Sequence, residues 1–124
     1  MSRRATLYAE VGGEPALAEV VRLFHARLKA DPTVRHFFPS EGEARLMARQ
    51  RRYFAAMLGG PSEDAGVDLA ADLAAAHVDV SIEDHHVAIV VAHLRAALIE
   101  AGVTDAVAER VVNVASRLWW ARRW

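Results

Sequence analysis

Apolar residues recur at three- and four-residue spacing along most of the chain, and each such stretch is closed by glycine or proline. Gly12-Gly13, Asp31-Pro32, Gly59-Gly60-Pro61 and Gly102 divide the 124 residues into segments of helical length. No run of strand-type alternation competes with this pattern. The sequence therefore predicts an all-α fold, read as one domain over residues 1–124, with five main helices and short connections.

The first long helix runs from about Glu14 to Ala30, with Pro15 in its first turn, where a missing N–H costs nothing. Leu17, Val20, Val21, Phe24 and Leu28 form its buried stripe. A second helix spans about Glu41 to Leu58, with Ser40 and Glu43 in capping-box spacing. Asp68 opens a short Ala-rich helix that ends near His77. Ser81 caps the fourth helix and Thr104 the fifth, whose apolar face is Val107, Val111, Val114 and Leu118.

Composition narrows the function. Fifteen Lys and Arg face sixteen Asp and Glu, so no global charge marks a nucleic-acid binder. With no cysteine, the chain has no disulfide, thiolate metal site or thioether-linked haem. No apolar run approaches ~18 residues, so no membrane span is expected, and with no apolar export stretch at the N-terminus the expected compartment is the cytoplasm.

Three polar residues interrupt the apolar faces. His77 shares a face with Leu69 and Leu73; His25 lies between Val21 and Leu28; Gln50 lies midway between Leu46 and Phe54. Each by itself fits a core side chain bonded to a neighbouring backbone group. Together they place several polar groups in a core of Phe, Leu, Val and Met. Unpaired, they would cost several kcal/mol, which favours a polar or metal-bearing guest. The trio Arg45, Arg49 and Arg52 follows one side of the second helix, as an ordinary solvated basic face does.

The order of several short motifs resembles the group I truncated haemoglobins. They are Leu7-Tyr8 followed by Gly12-Gly13, then Ala30-Asp31-Pro32, Phe37-Phe38, Gln50, Tyr53-Phe54, Leu58-Gly59-Gly60-Pro61, Ala76-His77, Ile82-Glu83-Asp84-His85-His86 and Ala101-Gly102-Val103. The resemblance implies a truncated globin, a two-over-two helical sandwich around haem. It makes His77 the proximal axial ligand of the iron. Phe38 becomes the aromatic packed on the haem, Leu46 and Gln50 distal residues, and Gln50 a hydrogen-bond donor to bound ligand. Phe54, Met57 and Ile89 become pocket walls, and Arg49 a partner for a haem propionate. His25 stands where many members carry tyrosine; it hydrogen-bonds bound ligand, supplies a second axial nitrogen, or turns aside into packing. No histidine follows His93, so the expected cofactor is non-covalent haem b.

The function implied is binding of small gaseous ligands, oxygen and nitric oxide among them, at the iron. Oxygen transport, nitric oxide dioxygenation or peroxidase-like chemistry would follow from that binding, the redox chemistry with an unidentified reductase. The alternative is a six-coordinate bis-histidine haem protein for electron transfer or redox sensing. A monomer and a homodimer are both compatible with the sequence.

Overall fold

A computed structural model describes residues 6–38, 42–60 and 82–120. Among these residues the secondary structure is helical throughout, with no strand. Helix α1 (Leu7–Val11) begins at Thr6, whose Oγ1 accepts the Ala9 N–H at 3.1 Å. This helix is absent from the sequence reading, because five residues carry too little of a stripe to register. Gly12, at φ 122°, turns α1 into α2 (Gly13–Ala30). A Cβ on Gly12 would lie 2.8 Å from the Ala16 Cβ, so the turn requires glycine twice over.

Helix α3 (Glu43–Met57) starts two residues later than the capping-box pattern suggests. Its N-cap is Gly42, at φ 75°, and no side chain caps it. Glu43 turns instead toward α2, and Ser40 lies outside the described residues. Helix α4 (Asp84–Glu100) has Glu83 as its N-cap rather than Ser81, which also lies outside the described residues. The His86 Nδ1 reaches back to accept the Glu83 N–H at 3.0 Å, so an imidazole does the work usually left to Glu or Gln. Helix α5 (Asp105–Trp120) begins as expected at Thr104, whose hydroxyl accepts the Val107 N–H at 3.4 Å. The short helix expected around Leu69, Leu73 and His77 lies outside the described residues.

The four long helices form two pairs, α2 with α3 and α4 with α5, joined where α2 packs on α4. The core is the meeting of their apolar stripes: Leu17, Val20, Val21 and Leu28 from α2, Phe54 from α3, Leu94 and Leu98 from α4, Val111 from α5. Phe24, Phe54 and Trp119 bind three of these helices through ring contacts. Phe24 and Trp119 stack at 6.4 Å between centroids, and Phe24 meets Phe54 edge-on at 5.9 Å. None of the described helices is long and apolar enough to cross a membrane.

Two contacts fix the chain ends of the first pair. The Tyr8 N–H donates to the Leu58 carbonyl at 3.1 Å, and the Tyr8 ring lies where a Cβ on Gly60 would have to be. This joins two motifs about fifty residues apart in sequence, Leu7-Tyr8 and Leu58-Gly59-Gly60. At the other end of α2, Asp31 receives its own Thr33 N–H at 2.9 Å on Oδ1 and the His93 Nε2 of α4 at 2.7 Å on Oδ2. The His93 bond, followed by that from Thr33, holds the Asp31 carboxyl below its ordinary value of 3.8.

A carboxylate with a lowered folded-state value contributes stability that is present above the ordinary range and lost as pH falls through the lowered one. Asp31→Asn keeps the turn and removes the charge. It is expected to lower the melting temperature at pH 7, with the gap to the unsubstituted protein starting to narrow as pH falls below about 4 and closing only below the lowered Asp31 value. Thermal melts in steps from pH 7 to about pH 2 follow the gap; a gap that stays constant throughout would show that the Asp31 charge contributes nothing.

Candidate functional site

Helical periodicity forces His25 inward. It follows Val21 by one turn and shares the stripe that buries Leu28, and only 2% of its surface is exposed. Its ring meets Phe38 edge-on at 6.3 Å, just beyond the 3-10 turn Arg35–Phe37. The Nε2 atom lies 3.3 Å from Oε1 of Glu43, close but out of line for a hydrogen bond. Neither ring nitrogen has a hydrogen-bond partner among the described residues.

Burial pushes the His25 imidazole below its ordinary value; Glu43 opposes that shift and Lys29 adds to it. The ring is therefore uncharged at neutral pH. Lys29 stands one helical turn beyond His25 and donates from Nζ to Oε2 of Glu43 at 2.7 Å. That bond holds the Glu43 carboxyl below its ordinary value. The three residues form a line from the interior outward, His25 to Glu43 to Lys29, across the α2–α3 contact.

Gln50 lies two helical turns along α3 from Glu43. Its side-chain Oε1 is buried and has no hydrogen-bond partner among the described residues. The amide can present either its oxygen or its nitrogen at that place, so the buried end can accept or donate. Two facing helices thus each carry a buried polar group left unpaired by the described residues. An apolar core that carries such groups at a cost of about 1–3 kcal/mol each fits a guest with polar or metal chemistry.

The other sequence-selected residues divide clearly. Phe54 and Met57 belong to the buried core, and Phe38 and Ile89 pack partly buried against it. Leu46 is half-buried, on the turn of α3 before Gln50, and is not among the side chains packed on that core. Arg49 is exposed. His77 lies outside the described residues. The sequence reading missed Glu43 and Lys29 as neighbours of His25. The i,i+4 spacing from His25 to Lys29 was legible, but nothing in the sequence placed Glu43 opposite them.

Residues 6–121 match the family model described as "Bacterial-like globin". The chain is 32% identical over 114 residues to the group 1 truncated hemoglobin of Tetrahymena pyriformis, covering 92% of this chain and 91% of that protein. It is 34% identical over 114 residues to the group 1 truncated hemoglobin GlbN of Mycolicibacterium paratuberculosis, covering 92% and 81%. A crystal structure of a point mutant of the Tetrahymena pyriformis protein, in its Fe(III) form, superposes with a TM-score of 0.84 at 30% identity, over 94% of this chain and 96% of that one.

Replacing a buried imidazole whose Nδ1 has no partner among the described residues by an apolar side chain removes the desolvation cost of that atom, offset in part by loss of the Nε2 approach to Glu43 at 3.3 Å. His25→Leu is expected to raise the unfolding free energy of haem-free protein by about 1 kcal/mol or less. Urea denaturation at pH 7 measures the change. A loss of stability would mean that the imidazole is satisfied in the native fold.

Proposed function

Because the chain belongs to the bacterial-like globins, and among them to the group I truncated haemoglobins, we propose that it binds haem b non-covalently and takes up oxygen or nitric oxide there. The observation that carries the proposal is the pair of unpaired buried polar groups, His25 on α2 and Gln50 on α3. Haem, when bound, supplies an iron that accepts a small ligand on the face opposite its protein ligand. The residues do the rest.

His77 is the residue proposed to hold the iron, by its place in the Ala76-His77 motif. Phe38 packs on the cofactor, while Phe54, Met57 and Ile89 keep water from the ligand side; all four already belong to or rest on the apolar core. Leu46 adds a distal apolar contact. Gln50 offers an amide donor at its buried end, and a donor aimed at a developing negative charge lowers its energy in a dry site. Arg49 is the proposed partner of a propionate, a role its exposure favours. Non-covalent attachment is supported by the absence of cysteine and of any histidine after His93.

Ligand binding of this kind serves oxygen transport directly. It also serves nitric oxide dioxygenation or peroxide reduction when a separate reductase restores the iron. A cytoplasmic monomer or homodimer is the setting proposed. The second reading, a bis-histidine centre for electron transfer or redox sensing, draws on the same unpaired ring of His25. The two differ in what His25 does when no ligand is present.

The visible spectrum of haem-reconstituted, reduced, ligand-free protein separates them. One broad visible band is expected, from iron held by His77 alone; two sharp bands would favour His25 as a second ligand. His77→Ala is expected to lose most of the Soret absorbance. Absence of a Soret band from the unsubstituted protein after reconstitution would overturn the haem proposal.

A further inference from the structure

We infer that Glu43, clamped by Lys29, is a positioning residue that fixes the tautomer and direction of His25, with the ring proton on Nε2 and the lone pair on Nδ1. Three observations lead there. Gly42 caps α3 without help from a side chain, so the Glu43 carboxylate is not spent on the helix start. One of its oxygens is bound by Lys29 at 2.7 Å, which holds the carboxylate against α2. Its other oxygen lies 3.3 Å from His25 Nε2, inside a region where the imidazole is almost wholly buried.

A neutral imidazole has one N–H and one lone pair. A lone pair on Nε2 would face the lone pairs of an anionic oxygen at close range, whereas an N–H there faces them favourably. The charge on Glu43 therefore selects the Nε2–H form even though the contact is not linear. What remains at Nδ1 is an acceptor with no partner among the described residues.

The consequence for the site rests on the haem reading given above. Nε2 is the outer ring nitrogen and has the longer reach from the backbone. Held toward Glu43 and protonated, it would have no lone pair to offer an iron. The Glu43–Lys29 pair then acts as a tether that keeps His25 from becoming a second axial ligand and leaves the distal side open. With its lone pair on Nδ1 and its proton turned to Glu43, His25 would have no donor to offer a bound ligand, which would leave that role to the Gln50 amide.

Long-range proton–nitrogen NMR of the histidine rings, recorded on the reduced carbon monoxide complex, reads the tautomer directly. The His25 signals are assigned by their loss in His25→Leu. The expected result is a single Nε2–H form in the unsubstituted protein and a mixture of both forms in Glu43→Ala and in Glu43→Gln, which keeps the size of the side chain and removes its charge. In the reduced, ligand-free spectrum Glu43→Ala is expected to gain the two sharp bands of iron with a second ligand. A proton on Nδ1 in the unsubstituted protein, or an unchanged tautomer in Glu43→Ala, would overturn the inference. If the unsubstituted protein takes up no haem, the functional proposal fails, and the same NMR measurement on the haem-free chain still decides the role of Glu43.

Discussion

Everything in this fold hangs on the packing of α2. It touches α1, the 3-10 turn, α3 and α4, and its stripe of Leu17, Val20, Val21, Phe24 and Leu28 supplies the centre of the core. A helix so placed has no free side along that stripe. Any polar residue within it is buried by the same geometry that buries its neighbours, and His25 occupies such a position. The polar site is thus a product of the packing rather than an addition to it. The cost of one uncharged imidazole is carried by an otherwise apolar interface.

The electrostatics follow from this constraint. Burial leaves His25 neutral, which makes its tautomer the only variable left to the protein. Tautomers are set by what faces each ring nitrogen, and that choice falls to the start of α3. A glycine cap there frees Glu43, and the i,i+4 spacing on α2 brings Lys29 to the same carboxylate. A backbone detail at Gly42 and a side-chain spacing on α2 together determine how a residue in the interior is presented.

The existence of the four long helices was legible because their stripes and stops are strong, and three of them, Gly13–Ala30, Asp84–Glu100 and Asp105–Trp120, fall within about two residues of where periodicity and glycine place them. Burial of His25 was legible for the same reason. The starts of α3 and α4 were not, since Ser40 and Ser81 offered familiar capping patterns while the chain uses Gly42 and Glu83. Sequence spacing describes one helix at a time, and so the meeting of Glu43 with His25 was out of reach. The pairing of Asp31 with His93 was hidden likewise, as it joins residues sixty-two apart. The likeness of ordered motifs to a known family supplied the guest, which periodicity alone did not name.

The clasp between Tyr8 and the end of α3 has a consequence for how such a chain tolerates change. Tyr8 holds the Leu58 carbonyl and covers Gly60, so the main chain departs from the helical frame at a fixed point. Whatever follows Gly60 is added to an anchored end, and an insertion or deletion there does not pull on α3. A methyl group at Gly60 would collide with the Tyr8 ring, so any larger residue there has to push the ring aside and loosen the anchor.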